Sequence, residues 1–509
     1  MPDKKYITTP IYYVNDKPHI GHAYTTVAAD ILARYWRLEG REVLFLTGTD
    51  EHATKIPAAA KAAGKTPKEF CDGMSAEFKN AWGRLGITFD RFIRTTDADH
   101  IAAVGDILSR LRAAGHIYKG VYEGLYCSSC EKFLTETELT SDGLCPDHGR
   151  KPEKYSQENY FFRLSAFRDR LLELVEDAAL PDHIEILPEE RRNEIIGKLK
   201  VGLEDISISR ASTGWGVAIP FDPSQTAYVW VDALINYATG AGWPSAPDKF
   251  AKWWPADCHL MAKDILWFHS VIWPAVLIGA GLKPPRRVFA HGFFTLDGAK
   301  MSKTRGNVIA PDELIERYGA DAARYLLVTL FPFGVDGDFS KSELDRRYNS
   351  ELANNAGNLL NRAATMSEKY FDAVVPAGAV SKPFADMLSS KIAQYRAAMD
   401  VARLHTAAAA AQAIVDEANR LVQREEPWTL FKQKDTRLDT VMRDLFAAIS
   451  AAAVCLRPFM PAAAEAMWTS SGSSIGIDEG ARRIFSRDMS ALSAGGKTVK
   501  PPLLFPRVE

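Results

Sequence analysis

Residues 18–22 read Pro-His-Ile-Gly-His, two imidazoles around a glycine where a helix should begin. A helix N-terminus carries backbone N–H groups without intrahelical partners, so it favours an anion. His19 and His22 can donate hydrogen bonds to phosphate oxygens there, and Gly21 leaves room for a flat purine against the backbone. Alone, the pattern also describes two surface histidines at a turn. A second segment, LDGAKMSKTRGN at 296–307, places Lys300 and Lys303 around Ser302 on a loop after a strand. Mobile lysines can close on a polyphosphate and neutralise charge that develops in its transition state. A Lys-x-x-Lys loop alone is also a solvated surface; the two segments together point to a nucleotide phosphate site. Third, Cys127-x-x-Cys130 followed by Cys145-x-x-His148 has a four-ligand spacing suited to tetrahedral zinc, against the alternative of cysteines placed by chance. With all four positions filled, such a site is structural.

These residues need a scaffold. YITTPIYYV is β-branched and aromatic and reads as a buried strand; HAYTTVAADILARYWRLEG follows with helical spacing, and Gly40 stands where a C-cap belongs. EVLFLTGTDEH is a second strand running into polar residues. Strand, helix, strand is a βαβ unit, hence a parallel sheet that binds ligands at the carboxyl ends of its strands, where both PHIGH and GTDEH fall. From 116 to about 225 short strands, turns and the cysteine cluster suggest an insertion, after which AYVWVDALINYAT returns to strand-then-helix and RRVFAHGFF to strand. Beyond about 350 long amphipathic periods predict a helical bundle, and KTVKPPLLFPRVE an extended tail lying across the body.

Composition is permissive rather than directive. The 509 residues are 47% hydrophobic and 25% charged with a formal net charge of −2, ordinary globular values that imply several domains and no particular partner. The start, MPDKKYITTP, lacks the apolar stretch of a signal peptide. The longest apolar run, Ile265 to Leu282, contains His269, Ser270 and Pro274 and reads as a buried helix with its preceding loop rather than a membrane span. Six cysteines, three of them clustered, suit a reducing compartment, with the cytoplasm as the expected location.

HIGH near the start and KMSKT in the second half resemble the paired signatures of class I aminoacyl-tRNA synthetases. PIYYVNDKPHIGHAYT, GTDEH, YVWVDALINY, KDILWFHSVIWPA, HGFFTLDGAKMSKTRGN and GVDGDFS are similar to the methionyl-tRNA synthetases of that class along nearly the whole chain. Thr304 stands where the family often has serine and keeps the hydroxyl. The resemblance implies an α/β fold: a Rossmann-type catalytic domain (1–115 and 228–292) split by a zinc-knuckle insertion (116–227). A stem-contact region with the KMSKT loop (293–350), an all-α anticodon-binding bundle (351–480) and an extended tail (481–509) would follow.

The implied reaction is attack of a methionine carboxylate on the ATP α-phosphate, giving methionyl-adenylate and pyrophosphate, then transfer to the terminal adenosine of tRNA(Met), initiator included. Positioning and charge stabilisation carry such a step without a protein nucleophile. By resemblance His19 and His22 hold phosphates, Lys300 and Lys303 stabilise the pyrophosphate, and magnesium accompanies ATP. Asp264 binds the adenosine hydroxyls or supports the site, although by pattern it is also a helix cap. Ile11, Tyr13, Trp230, Tyr237 and His269, with Trp273 nearby, line the methionine slot, and Asp50 pairs with the substrate ammonium; by pattern alone Trp230 and Trp273 are also core. Thioether sulfur contacts aromatic edges favourably, by about 0.3–1.5 kcal/mol each. Asn358 and Arg362, one helical turn apart, and Trp428 match the anticodon-reading positions; by pattern they are also cap or core residues.

A pocket distinguishes one methyl by only ~1–3 kcal/mol, so homocysteine rejection by editing within the synthetic site is implied. The long proofreading domain of the leucine, isoleucine and valine enzymes is absent. No DNA or membrane partner is expected, and the end at Glu509 without an oligonucleotide-binding appendage suggests a monomer. Three rivals fit less well. The cysteine enzyme would place zinc in the amino-acid pocket, and a small nucleotidylyltransferase with H-x-G-H would not need the bundle at 351–480. A zinc-containing RNA-binding scaffold would not need His19, His22, Asp50 and Lys303 intact.

Overall fold

The first strand, Lys4–Tyr13, is buried on both faces along most of its length, which is why its sequence shows no polar alternation. The structure, a computed structural model, describes residues 3–509 except 128–131, 135, 147–148, 213, 297, 301–307, 489–491, 493–495 and 502. Lys4–Tyr13 is central in a six-stranded sheet with the order Arg91–Arg94, Glu42–Asp50, Lys4–Tyr13, Cys258–Ala262, Arg287–His291, Glu185–Leu187, every pair parallel. The strand order reverses between Lys4–Tyr13 and Cys258–Ala262, and a crevice opens at the carboxyl ends of those two strands. Gly48 permits the tight pairing with Arg91–Arg94: a Cβ there would sit 1.9 Å from the Ile93 carbonyl oxygen.

Helix Ile20–Leu38 is buried nearly all round because it lies between the sheet and the helical region. Its Asp30 is fully buried and accepts from Arg34 Nε, from the Thr88 amide and hydroxyl, and from Arg324 at 2.7 Å. Burial alone would raise the Asp30 pKa, but Arg324 and Arg34 outweigh it and hold the carboxyl below its ordinary range. Arg324 also donates to the carbonyls of Leu85, Pro458 and Phe459, tying the sheet domain to the bundle. Removing one member of a buried pair strands the other charge, so Arg324→Ala is expected to cost about 3–5 kcal/mol, read from denaturant unfolding.

The fold differs from the sequence reading in two places, one inside the insertion and one just after it. Glu185–Leu187, within 116–227, pairs with Arg287–His291 and forms the sheet's outer strand. The β-branched YVWV run is not a strand of the main sheet: Asp222–Ala227 pairs antiparallel with Ser209–Ala211 in a small separate sheet, and helix Val229–Ala241 begins immediately. Packing overrides propensity there, since Trp230, Ala233, Leu234 and Tyr237 share one helical face toward the crevice. The main insertion sheet is antiparallel, Lys132–Leu134, Ile117–Cys127, Glu153–Phe162 and Ile206–Ser207.

The C-terminal region is helical, with Asn358–Phe371, Lys382–Asp400, Leu404–Glu425 and Arg437–Leu456 as its long members. The tail runs back along it: Phe505 is buried edge-on to Tyr348, and Val508 exchanges two hydrogen bonds with the Asn349 side chain. Among the described residues no helix is long and apolar enough to cross a membrane.

Candidate active site

His19 is the N-cap of helix Ile20–Leu38, and its Nδ1 accepts from the Gly21 amide at 3.1 Å. The His19 amide in turn donates to His22 Nδ1 at 3.3 Å, so the two imidazoles form a reciprocal cap and stack with ring centroids 3.7 Å apart. Burial lowers the pKa of His19, and lowers that of His22 further with help from the neighbouring ring. A neutral imidazole whose Nδ1 accepts carries its proton on Nε2. Both rings therefore offer an Nε2–H donor beside a helix N-terminus.

Around them opens a cavity of about 470 Å³. Of the residues singled out from sequence, Ile11, Tyr13, His19, Gly21, His22, Asp50, Trp230, Tyr237, Asp264 and His269 all line it. Asp50 ends its strand in register with Tyr13 and is 3% exposed. Trp230 stacks on Phe268 at 4.1 Å and stands edge-on to Tyr13 at 6.0 Å, making an aromatic wall. His269 Nδ1 donates to the Ile265 carbonyl at 2.9 Å, so its Nε2 accepts from the Tyr237 hydroxyl at 2.7 Å. Burial drives the His269 pKa down to about 4 and raises that of Tyr237, so both are neutral near pH 7. Aromatic and apolar side chains thus share one cavity with the Asp50 and Asp264 carboxylates and the imidazole donors.

The chain matches the family model described as tRNA synthetases class I (M) over residues 5–152 and 145–364, and that of the anticodon binding domain of methionyl tRNA ligase over 374–509. It is 46% identical to the methionine–tRNA ligase of Caldanaerobacter subterraneus subsp. tengcongensis over 99% of this chain and 79% of that protein. It is 42% identical to the one from Thermotoga maritima over 99% and 80%. The solved Mycobacterium tuberculosis methionyl-tRNA synthetase in complex with methionyl-adenylate superposes with a TM-score of 0.93 at 39% identity, covering 99% of this chain and 100% of that one. The chain belongs to the methionyl-tRNA synthetase family.

Not every residue implied by the family resemblance reaches the cavity. Trp273 is fully buried behind Tyr237, its indole N–H donating to His259 Nε2 at 3.2 Å, so it backs the slot instead of lining it. The backbone of Lys300 pairs with Thr295, while Lys303 lies outside the described residues. Asn358 and Arg362 are exposed one turn apart on helix Asn358–Phe371, which packs against the short helix Pro427–Gln433 that carries Trp428, 39% exposed. Cys127 and Cys145 are buried in one small cluster with Leu134; Cys130 and His148 lie outside the described residues.

Asn236, His291 and Gly292, given no role from sequence although the family-similar segments contain them, also line the cavity. His291 ends a sheet strand, donates from Nδ1 to the Gly292 carbonyl at 2.8 Å, and bonds the Thr25 hydroxyl through Nε2 at 2.7 Å. Gly292 is obligatory on contact grounds, since a Cβ would lie 2.3 Å from the Val335 carbonyl carbon. The one signal in the sequence was the His-Gly pair at the end of RRVFAHG, where a strand must stop at the sheet's carboxyl edge.

Proposed function

We propose that this chain is a methionine–tRNA ligase, which activates L-methionine with ATP and transfers it to the 3′-terminal adenosine of tRNA(Met). The carrying observation is that paired imidazole donors, a buried carboxylate and a polarity-poor aromatic slot share one cavity at the switch point of a parallel sheet. In this reading Asp50 takes the methionine ammonium, and Trp230, Tyr13 and Ile11 enclose the thioether. The Tyr237 hydroxyl, its proton committed to His269, presents lone pairs to the slot. His19 and His22 donate through Nε2–H to phosphate oxygens and Asp264 takes adenosine hydroxyls; Lys300 and Lys303 close on the leaving pyrophosphate. Magnesium, when bound with ATP, supplies further charge neutralisation.

ATP–pyrophosphate exchange across amino acids tests this. Exchange with methionine and little with cysteine is expected, and exchange with another amino acid but not methionine would sink it.

The tRNA side rests on Asn358, Arg362 and Trp428, an exposed aromatic with two hydrogen-bonding side chains, the means by which unpaired bases are read. Trp428→Ala is expected to lose about 1–3 kcal/mol of tRNA binding, seen as a raised KM for tRNA in aminoacylation. Pyrophosphate exchange should not move.

Two buried thiols in one cluster, Cys127 and Cys145, fit sulfur ligation of a structural zinc, and Cys130 and His148 complete the four-donor spacing. Such an ion braces the insertion and takes no part in the reaction. Elemental analysis should find one zinc per chain, lost in Cys145→Ser; a wild-type chain purified without chelators and free of zinc would end this assignment. A cytoplasmic monomer is the accompanying expectation, checked by light scattering.

A further inference from the structure

Three buried side chains outside the cavity wall join the element carrying Asp50 to the one carrying Trp230. Asp232 lies in the first turn of helix Val229–Ala241, two residues beyond Trp230, and is fully buried. Its Oδ2 accepts from His52 Nδ1 at 2.7 Å and its Oδ1 from His100 Nε2 at 2.8 Å. His52 follows the end of the Asp50 strand by two residues. His100, in the first turn of helix Ala98–Ala113, also reaches Thr239 Oγ1 at 3.3 Å through Nδ1, two turns along the helix that holds Asp232. None of the three lines the cavity.

A carboxylate is kept in a fully buried place only where its charge and lone pairs are met. Burial by itself would raise the Asp232 pKa, yet His52 and His100 bring it down to about 2. The group therefore stays ionised and bound on both oxygens. Its helix is a rigid rod that carries both the Trp230 ring and the Tyr237 hydroxyl. Moving the anchor would move both relative to Asp50. His19 and His22 stand on a different helix, Ile20–Leu38, and would not follow.

We infer that Asp232, held by His52 and His100, is a positioning residue that sets the spacing between Asp50 and the Trp230–Tyr237 wall, and through it the cavity's affinity for the amino acid. The inference rests on the functional reading above. Asp232→Asn keeps the volume but turns one acceptor into a donor facing a ring N–H, and His52→Gln, whose amide N–H sits one bond farther from Cα than Nδ1, misplaces the donor of one of the two ties.

The test is pyrophosphate exchange by the full chain, with KM measured separately for methionine and for ATP and melting temperature followed in parallel. Each variant should raise the methionine KM by roughly 10–100-fold, the scale of small misplacements, while the ATP KM stays near its original value. The two effects should be non-additive in the double variant, because both act on the same carboxylate. His52→Gln carries the test if Asp232→Asn does not fold. An unchanged methionine KM, or both KM values rising together with a lowered melting temperature, overturns the inference alone. An unaltered chain without methionine-dependent exchange overturns it together with the functional reading.

Discussion

Asp50→Ala should abolish most methionine activation, lowering kcat/KM for methionine by roughly 10²–10⁴-fold with ATP binding retained. Asp50 sits at the end of strand Glu42–Asp50, 3% exposed, in a cavity it shares with Ile11, Tyr13, Trp230 and Tyr237. An ammonium entering that slot gives up its hydration, and only a charged acceptor returns the loss. Deleting one partner of such a pair leaves the other charge buried alone, at about 3–5 kcal/mol. Asp50→Asn, with the same shape, should lose nearly as much, because its amide offers a neutral acceptor. Pyrophosphate exchange at varied methionine, with ATP binding measured separately, checks both variants. A methionine KM near wild type in either would remove Asp50 from the ammonium site.

His19→Asn separates two functions of one ring. The imidazole caps a helix through Nδ1 and leaves Nε2–H facing the cavity. Asparagine is among the best N-cap residues, so it should hold the helix start and leave the melting temperature nearly unchanged. It cannot reach as far as Nε2, so the phosphate donor is lost. Loss of one preorganised donor to developing charge costs about 2.7–4 kcal/mol, and kcat for exchange should fall about 10²–10³-fold with little change in the methionine KM. His19→Ala should lose the same rate and a further ~1 kcal/mol of stability from the missing cap. If His19→Asn exchanges at the wild-type rate, the ring is structural and the phosphate lies elsewhere.

The His19 and His22 reading came from the sequence because the information is local. A proline, two imidazoles and a glycine at a helix start carry their meaning within five residues. The same holds for the buried first strand and for the amphipathic periods of the bundle, where burial on one or both faces is written into spacing. The YVWV segment reads the other way. β-branched and aromatic residues favour a strand, yet its own Trp230 and the following Ala233, Leu234 and Tyr237, at helical spacing, line one cavity, and that packing decided the helix. Glu185–Leu187 is only three residues long and takes its place at the sheet edge from its partner Arg287–His291, more than ninety positions later.

By itself, then, the sequence determined the sheet-and-bundle class, the resemblance to the family, and that His19, His22 and Asp50 fall at the carboxyl ends of strands, because motifs and periodicities are short-range. The tertiary structure alone decided that Trp273 stands behind Tyr237 instead of in the slot, and that Gly292 must be glycine beside Val335. It alone joined His52, His100 and Asp232, which come from three separate segments. Such contacts depend on how far apart in sequence the partners are brought together and on which face each element turns inward, and neither quantity is encoded within any one stretch of chain.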